Sequence, residues 1–182
     1  MYNLIAEERD SQLKAKKIRN AGMVPCSIYG GKLKKTLLIQ ISQVEATKLL
    51  KEKGRGGRLK VECDGKKHDV IVKEISWNNI TNQVENVDFQ GLSKEKEVCS
   101  TAQIILKNKN KIPVMIQQLI REIPYKALPA NLVEKIEIDM KKFKKGDTLK
   151  VKELPIWNNP DIEVLMEGEL LVMNMPGISR GV

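Results

Sequence analysis

The 182-residue sequence predicts an α+β domain followed by a mostly-β domain. Aromatic residues make up only 4% of the chain, so its core must rest on Ile, Leu and Val, which favour strands. Two helical patterns lie in the first half, whereas polar turns separate a series of strand-like segments in the second. A polar stretch at 90–97 contains Gly and Ser and divides the two, which predicts domains at 1–92 and 93–182.

Several segments of the first half have the β-branched and aliphatic content of strands. They lie at 4–8, 26–29, 36–41, 59–63, 70–72 and 84–89. The clearest signal surrounds Asp64-Gly65, where Leu59, Val61 and Cys63 alternate with polar residues before the turn. Because Asp-Gly supplies the positive φ angles of a tight turn, this segment predicts a β-hairpin.

A short helix is predicted over 11–21. Ala15 and Ile18 are spaced for one apolar stripe, while basic residues cover the remaining faces. Gly22 is well placed to end this helix. Pro25 then forces an extended path into the next strand.

A second helix is predicted to begin at Ser42. Ser42 and Glu45 have the capping-box pattern, in which the hydroxyl accepts from a backbone amide of the first turn. Val44, Leu49 and Leu50 give the helix an apolar side.

The second half reads as strands joined by lysine-rich turns. A hairpin tip is predicted at 107–111, a further turn at 144–147 and one helical turn near 140–143. The predicted strands lie at 100–106, 112–123, 133–140, 148–151 and 162–175.

Positive charge is concentrated near the start of the chain. The net charge is +9, which fits a nucleic acid or an anionic membrane surface. Residues 9–35 hold eight Lys or Arg residues and one acidic residue. Localised charge favours a phosphate contact more than diffuse charge does. A soluble, lysine-rich surface is the alternative.

Signals for catalysis, metals and membranes are weak or absent. The cysteines Cys26, Cys63 and Cys99 lack metal-ligand spacing and are interpreted as reduced core thiols. His68 is the only histidine, and no phosphate-binding or nucleophile motif occurs. No apolar run reaches the roughly 18 residues of a membrane span, and the first residues lack a signal-peptide pattern. We therefore expect a cytoplasmic protein without catalytic residues, cofactor, metal, small-molecule substrate or membrane partner.

The segment 16–32, KKIRNAGMVPCSIYGGK, joins the basic helix to a strand and a glycine pair. Lysines on a helix can lie against phosphates, and Tyr29 can offer its ring and hydroxyl to a ribose or base. Gly30-Gly31 would allow a close backbone approach. The alternatives are a solvated helix face, a tyrosine at the edge of the core and a simple tight turn.

The segment 18–32, IRNAGMVPCSIYGGK, resembles the arginine-rich helix, Gly-x-Val-Pro and Val-Tyr-Gly of a bacterial ribosomal protein family. This is the family of the twenty-fifth large-subunit protein, which binds 5S rRNA. NVDF at 86–89 stands where that family has a His-Val/Ile-Asp-Phe signature, and 128–154 is similar to its long Ctc or general-stress form. The resemblance implies an N-terminal six-stranded β-barrel with flanking short helices, followed by an all-β C-terminal domain.

The resemblance also implies a non-catalytic structural constituent of the large ribosomal subunit. Its RNA-contact positions, with two lysines added for their charge, are Arg9, Lys14, Lys16, Lys17, Arg19, Tyr29, Lys32, Asn86 and Asp88. The two additions are Lys14 and Lys32. Asp88 is expected to orient a basic side chain or accept from a sugar or base, rather than meet a phosphate.

Three positions depart from the family pattern. Lys16 and Lys17 stand where adjacent arginines are usual, which keeps the charge and loses the bidentate fork. Asn86 replaces the signature histidine and keeps hydrogen-bonding capacity without a titratable ring. These departures motivate an alternative: a divergent general-stress paralogue, acting as a non-catalytic interaction protein with weak or transient ribosome association.

Overall fold

The computed structural model describes residues 2–111 and 115–176 and divides into two compact units, 1–100 and 101–182. The predicted boundary between 92 and 93 stays a prediction, since compact units and functional domains need not end at the same residue.

Six strands of the first unit form a closed barrel. They are β1 (Tyr2–Glu8), β2 (Met23–Gly30), β3 (Leu37–Ser42), β4 (Arg58–Cys63), β5 (Lys66–Asn78) and β6 (Gln83–Gly91). The order around the barrel is β1-β3-β2-β6-β5-β4. The β1–β4 and β2–β6 pairs are parallel and the others antiparallel. The six-stranded barrel implied by the resemblance is therefore confirmed.

Aliphatic side chains fill the barrel. Leu4, Ile28, Ile39 and Val61 are fully buried, and Phe89 is the aromatic residue among them. Each fully buried side chain of this size contributes about 1.5–3 kcal/mol relative to an exposed one. The barrel thus gives the strands a firm inner face from which polar side chains project outward.

The second helix, α2 (Gln43–Glu52), begins as predicted. The Ser42 hydroxyl accepts from the Glu45 amide at 3.2 Å, and Leu49 is fully buried. Val44 was expected on the apolar side, but its side chain is 77% exposed. Two residues of helix rotate by about 200°, so Val44 lies opposite the buried Ala46.

The first helix, α1 (Ala15–Asn20), is shorter than the predicted 11–21. Asp10 Oδ1 accepts from the Gln12 amide at 2.8 Å, and this local turn competes with a helical start. Ile18 is buried and anchors the helix, as its position in the apolar stripe predicts. Gly22 ends the helix with a φ of 77°.

The second unit contains two sheets. Its strands are β7 (Val98–Lys107), β8 (Gln117–Gln118), β9 (Glu122–Ala127), β10 (Lys135–Asp139), β11 (Thr148–Lys150), β12 (Ile162–Val164) and β13 (Leu171–Asn174). One sheet has the order β10-β7-β9-β12 and the other β11-β13-β8. The helical segments described in this unit are single 3₁₀ turns, so the expected all-β character is confirmed.

Three predicted features of the second unit are wrong. The apolar run 112–123 is not one strand, because β8 and β9 belong to different sheets; residues 112–114 lie outside the described part of the chain. The run 162–175 divides into β12 and β13. The segment 107–111 is not a hairpin tip, because Asn108, with a φ of 61°, leads into a 3₁₀ turn and the strands on either side lie in separate sheets.

Candidate nucleic-acid interface

The outer face of the parallel β2–β6 pair carries polar side chains in register. Ser27 pairs with Asp88, and Tyr29 with Gln90. Ile28, between the two β2 residues, is fully buried. Because successive side chains of a strand point to opposite faces, Ser27 and Tyr29 project outward together.

Two hydrogen bonds fix the Asp88 carboxylate on this face. The Ser27 hydroxyl donates to Oδ1 at 2.6 Å, and Asn86 Nδ2 donates to Oδ2 at 3.0 Å. An ionised carboxylate has about four acceptor sites, so each oxygen can accept from a further donor. This arrangement suits Asp88 to orienting a cation or accepting from a hydroxyl. Ser27 was missed in the sequence, although its spacing of two from Tyr29 on a strand is a signal that could have found it.

Tyr29 is half-buried at the edge of the barrel face. Burial raises the pKa of its hydroxyl, and the carboxylates of Asp88 and Glu74 raise it further. The hydroxyl therefore stays protonated at neutral pH and can both donate and accept.

Arg9 lies on the same lateral row as Ser27 and Asp88. Its amide donates to the Leu38 carbonyl at 3.0 Å, and Leu38 pairs with Ser27 on the next strand. Arg9 Nε is buried and has no hydrogen-bond partner among the described residues. A buried donor without a partner costs about 1–3 kcal/mol, which a bound acceptor would relieve.

Helix α1 carries exposed basic side chains and contacts β6 through one of them. Arg19 Nη1 donates to the Glu85 carbonyl at 3.4 Å, which joins the end of α1 to the start of β6. The side chains of Lys14, Lys16, Lys17 and Arg19 are exposed. The barrel face thus brings together Arg9, Tyr29, Asn86 and Asp88. Arg19 lies beside them, while Lys32 is exposed beyond the Gly30-Gly31 turn.

The two units match two known sequence families. Residues 4–89 match the Ribosomal L25p family, and residues 101–177 match the C-terminal domain of ribosomal protein TL5. Residues 4–89 therefore belong to the ribosomal L25p family. All nine candidate RNA-contact residues lie within the range that matches this family.

Relatives of the L25p family extend over most of the chain. A protein of Finegoldia magna named large ribosomal subunit protein bL25 is 28% identical to this chain, and the alignment covers 90% of this chain and 79% of the relative. The protein of that name in Caldanaerobacter subterraneus is 27% identical, and the alignment covers 88% of this chain and 81% of the relative. The protein of that name in Staphylococcus epidermidis is 25% identical, and the alignment covers 97% of this chain and 81% of the relative.

The glycine pair Gly30-Gly31 is required by the backbone conformation at this turn. Gly30 and Gly31 have φ angles of 73° and 62°. A Cβ at Gly31 would lie 2.7 Å from the carbonyl carbon of Gly91, closer than side chains tolerate. This close approach of two chain segments favours the tight-turn interpretation of the pair.

The cysteines differ in their surroundings. Cys26 and Cys63 are buried, and burial raises the pKa of the Cys26 thiol to about 12. Cys99 is exposed, so its interpretation as a core thiol is wrong. Among the described residues, no group of three or more His, Cys, Asp or Glu side chains has a metal-binding arrangement. Within that same part of the chain, no helix has the length and apolar character needed to cross a membrane.

Proposed function

We propose that this chain is a structural, non-catalytic component of the large ribosomal subunit and that its first unit binds 5S rRNA. Family membership supports the ribosomal role, because relatives across several bacteria carry the name large ribosomal subunit protein bL25. Ribosome association then gives a cytoplasmic location. The RNA-binding role rests on the barrel face and α1.

The observation that carries the proposal is the row on which Arg9 and Asp88 lie. Arg9 presents a buried guanidinium donor, Nε, without a partner among the described residues, and Asp88 presents a carboxylate held by Ser27 and Asn86. Such a row combines a phosphate-binding cation with an acceptor for a ribose hydroxyl or a base. The wide, shallow minor groove of duplex RNA displays both kinds of group.

The cationic side chains of α1 would add affinity for RNA phosphates that does not depend on the RNA sequence. Each phosphate that a lysine or arginine neutralises on a duplex steepens the dependence of log K on log salt by about 0.9. Arg19, held near β6 through the Glu85 carbonyl, is the cation best placed to act together with Tyr29 and Asp88.

A gel-shift titration at moderate salt tests the proposal with a 5S rRNA fragment and an unrelated duplex RNA of equal length. The native chain is expected to prefer the 5S fragment. Arg19→Ala and Tyr29→Ala should weaken that complex about tenfold or more, since each removes a charged or stacking contact. Arg121→Ala, at an exposed arginine of the second unit, is the matched control. Equal affinity for the two RNAs would overturn the proposal.

A second candidate function follows from the departures at Lys16, Lys17 and Asn86. Lysines bind phosphate as point charges and lack the two parallel hydrogen bonds of arginine. One side-chain amide hydrogen of Asn86 is already donated to Asp88, so it is not available to RNA. A stress-related interaction protein with weak or transient ribosome association fits a face weakened in this way. Sucrose-gradient fractionation separates the two functions: a stoichiometric large-subunit peak excludes the second, and a substoichiometric peak excludes the first.

A further inference from the structure

A pocket of about 420 Å³ opens at the end of the barrel where β2 and β6 finish and β5 begins. Its floor is apolar and includes Ile28, Leu33 and Leu92. Ile28 is fully buried, so the pocket reaches down to the top of the barrel core. Among the described residues that line it, Lys32 is one of the nine candidate RNA-contact residues, whereas Lys67, His68 and Lys94 are not.

The mouth of the pocket is strongly basic. Lys32, Lys67 and Lys94 line it and are exposed, and His68 lies half-buried among them. Asp69 is the acidic side chain among the described lining residues. Three lysines against one carboxylate leave a positive site.

The ion pair that Lys67 makes does not neutralise the pocket. Lys67 Nζ lies 3.6 Å from Glu62 Oε2, and the two side chains are 65% and 43% exposed. Exposed pairs of this kind contribute about 0–1 kcal/mol, so Lys67 is readily available to a phosphate.

The backbone around the pocket is held in place. The Leu92 amide donates to the Asp69 carbonyl at 2.9 Å, and the Leu33 amide donates to the Gly30 carbonyl at 3.1 Å. The close approach of Gly31 to Gly91 fixes the remaining wall. A rigid frame therefore carries flexible lysine side chains, which suits the binding of a phosphate that belongs to a larger molecule.

The pocket also continues the β2–β6 face. Tyr29 and Gln90 form the last outward pair of that face, and Gly30 and Gly91, the next pair, line the pocket. One residue of strand spans about 3.3 Å, so RNA lying on the face reaches the rim of the pocket within one nucleotide.

We propose that this pocket is a second RNA-backbone site, in which Lys67, His68 and Lys94 bind phosphate. The proposal rests on the proposed RNA-binding function and extends it to the end of the barrel. The exposed lysines act as point charges, and the His68 imidazole adds a ring donor. The apolar floor accepts the face of a ribose or an unstacked base.

The salt dependence of RNA affinity tests this site in the full chain. The double variant Lys67→Gln/Lys94→Gln removes two charges from exposed positions, whereas Lys67→Arg/Lys94→Arg keeps them. A double variant at the exposed Lys141 and Lys142, both to Gln, is the control with the same change in net charge. For the 5S fragment, the pocket Gln variant should lower the slope of log K against log salt by about 1.4–1.8. Its affinity at about 0.1 M salt should fall about tenfold or more, whereas the Arg variant should keep the native slope.

The outcomes separate the pocket from the proposed function. If the pocket Gln variant keeps the native salt slope while Arg19→Ala still weakens the complex, the proposed phosphate site is overturned and the proposed 5S function stands. A reduced slope on both 5S and unrelated duplex RNA, without preference between them, supports the pocket and overturns the 5S function. A loss equal to that of the Lys141 and Lys142 control overturns the pocket, because net charge alone then explains it. No binding of the native chain to either RNA overturns both.

Discussion

The Ser27 hydroxyl donates to Asp88 Oδ1 at 2.6 Å across the parallel β2–β6 pair. Asn86, two residues before Asp88 on the same strand, donates to the other carboxylate oxygen at 3.0 Å. Two donors thus hold an acidic side chain in one orientation on the outer face of the β2–β6 pair. In the proposed RNA complex, this oriented carboxylate would repel phosphate and favour a hydroxyl, an amine or a guanidinium, so it would position the RNA as well as bind it.

Ser27→Ala should weaken both the barrel and its RNA complex. Loss of one hydrogen bond to a half-buried carboxylate is expected to lower the free energy of unfolding by about 1–2 kcal/mol. RNA affinity should fall about threefold or more, because Asp88 is then held by Asn86 alone. Urea denaturation and RNA titration measure the two effects. Ser11→Ala, in an exposed turn, is the control, and equal effects from both serines would contradict the role given to the pair.

Lys16→Arg combined with Lys17→Arg should strengthen RNA binding. The net charge is unchanged, so the salt slope should stay the same, while each guanidinium can bind a phosphate through two parallel hydrogen bonds. We expect an affinity gain of about threefold to tenfold in the gel-shift titration. A weakened complex, or no gain, would mean that these two positions do not face phosphate.

Asn86→His should make RNA binding depend on pH. The imidazole of a histidine titrates near pH 6.5, and the neighbouring Asp88 carboxylate would raise that pKa. The charged form is therefore present below this pKa and is lost as the pH rises through it, so affinity should increase on going from pH 8 to pH 6. The native chain, titrated in parallel, is the control. Matching pH profiles for the two proteins would show that residue 86 lies away from the RNA.

Gly31→Ala should destabilise the barrel more than Gly65→Ala does. Both glycines have positive φ angles, 62° and 71°, but a Cβ at Gly65 would meet no atom of the described residues within 4 Å, whereas one at Gly31 would lie 2.7 Å from Gly91. Left-handed strain alone costs about 1–2 kcal/mol, and the clash at Gly31 adds about 1–3 kcal/mol. Chemical denaturation of the two variants measures the difference. Equal losses of stability would contradict the close packing of Gly31 against Gly91.

The features that local chemistry decides were predictable from the sequence. The Asp64-Gly65 turn is present with φ angles of 49° and 71°, and the Ser42 cap begins α2. Val44 was misplaced because one apolar residue near a helix start does not define the buried side; Ala46 and Leu49 do. The hairpin and the helix cap depend on residues that are neighbours in sequence, and such neighbours are visible in a pattern.

The features that depend on distant residues were not predictable from periodicity. The β2–β6 pair joins Cys26 to Val87 and is what brings Ser27 to Asp88. The closed barrel was predicted only from the resemblance to a known family and not from the hydrophobic pattern. For the same reason, the apolar run at 112–123 looked like one strand, although tertiary pairing sends its parts to two sheets.

The most direct measurement of the central claim is an amide chemical-shift map of the isotopically labelled chain titrated with a 5S rRNA fragment. We propose that α1 and the outer face of the β2–β6 pair form the RNA-binding surface. We expect the largest shifts at 15–20, 27–29 and 86–90, with small shifts across the second unit. Largest shifts in the second unit, with α1 and the β2–β6 pair unaffected, would contradict it.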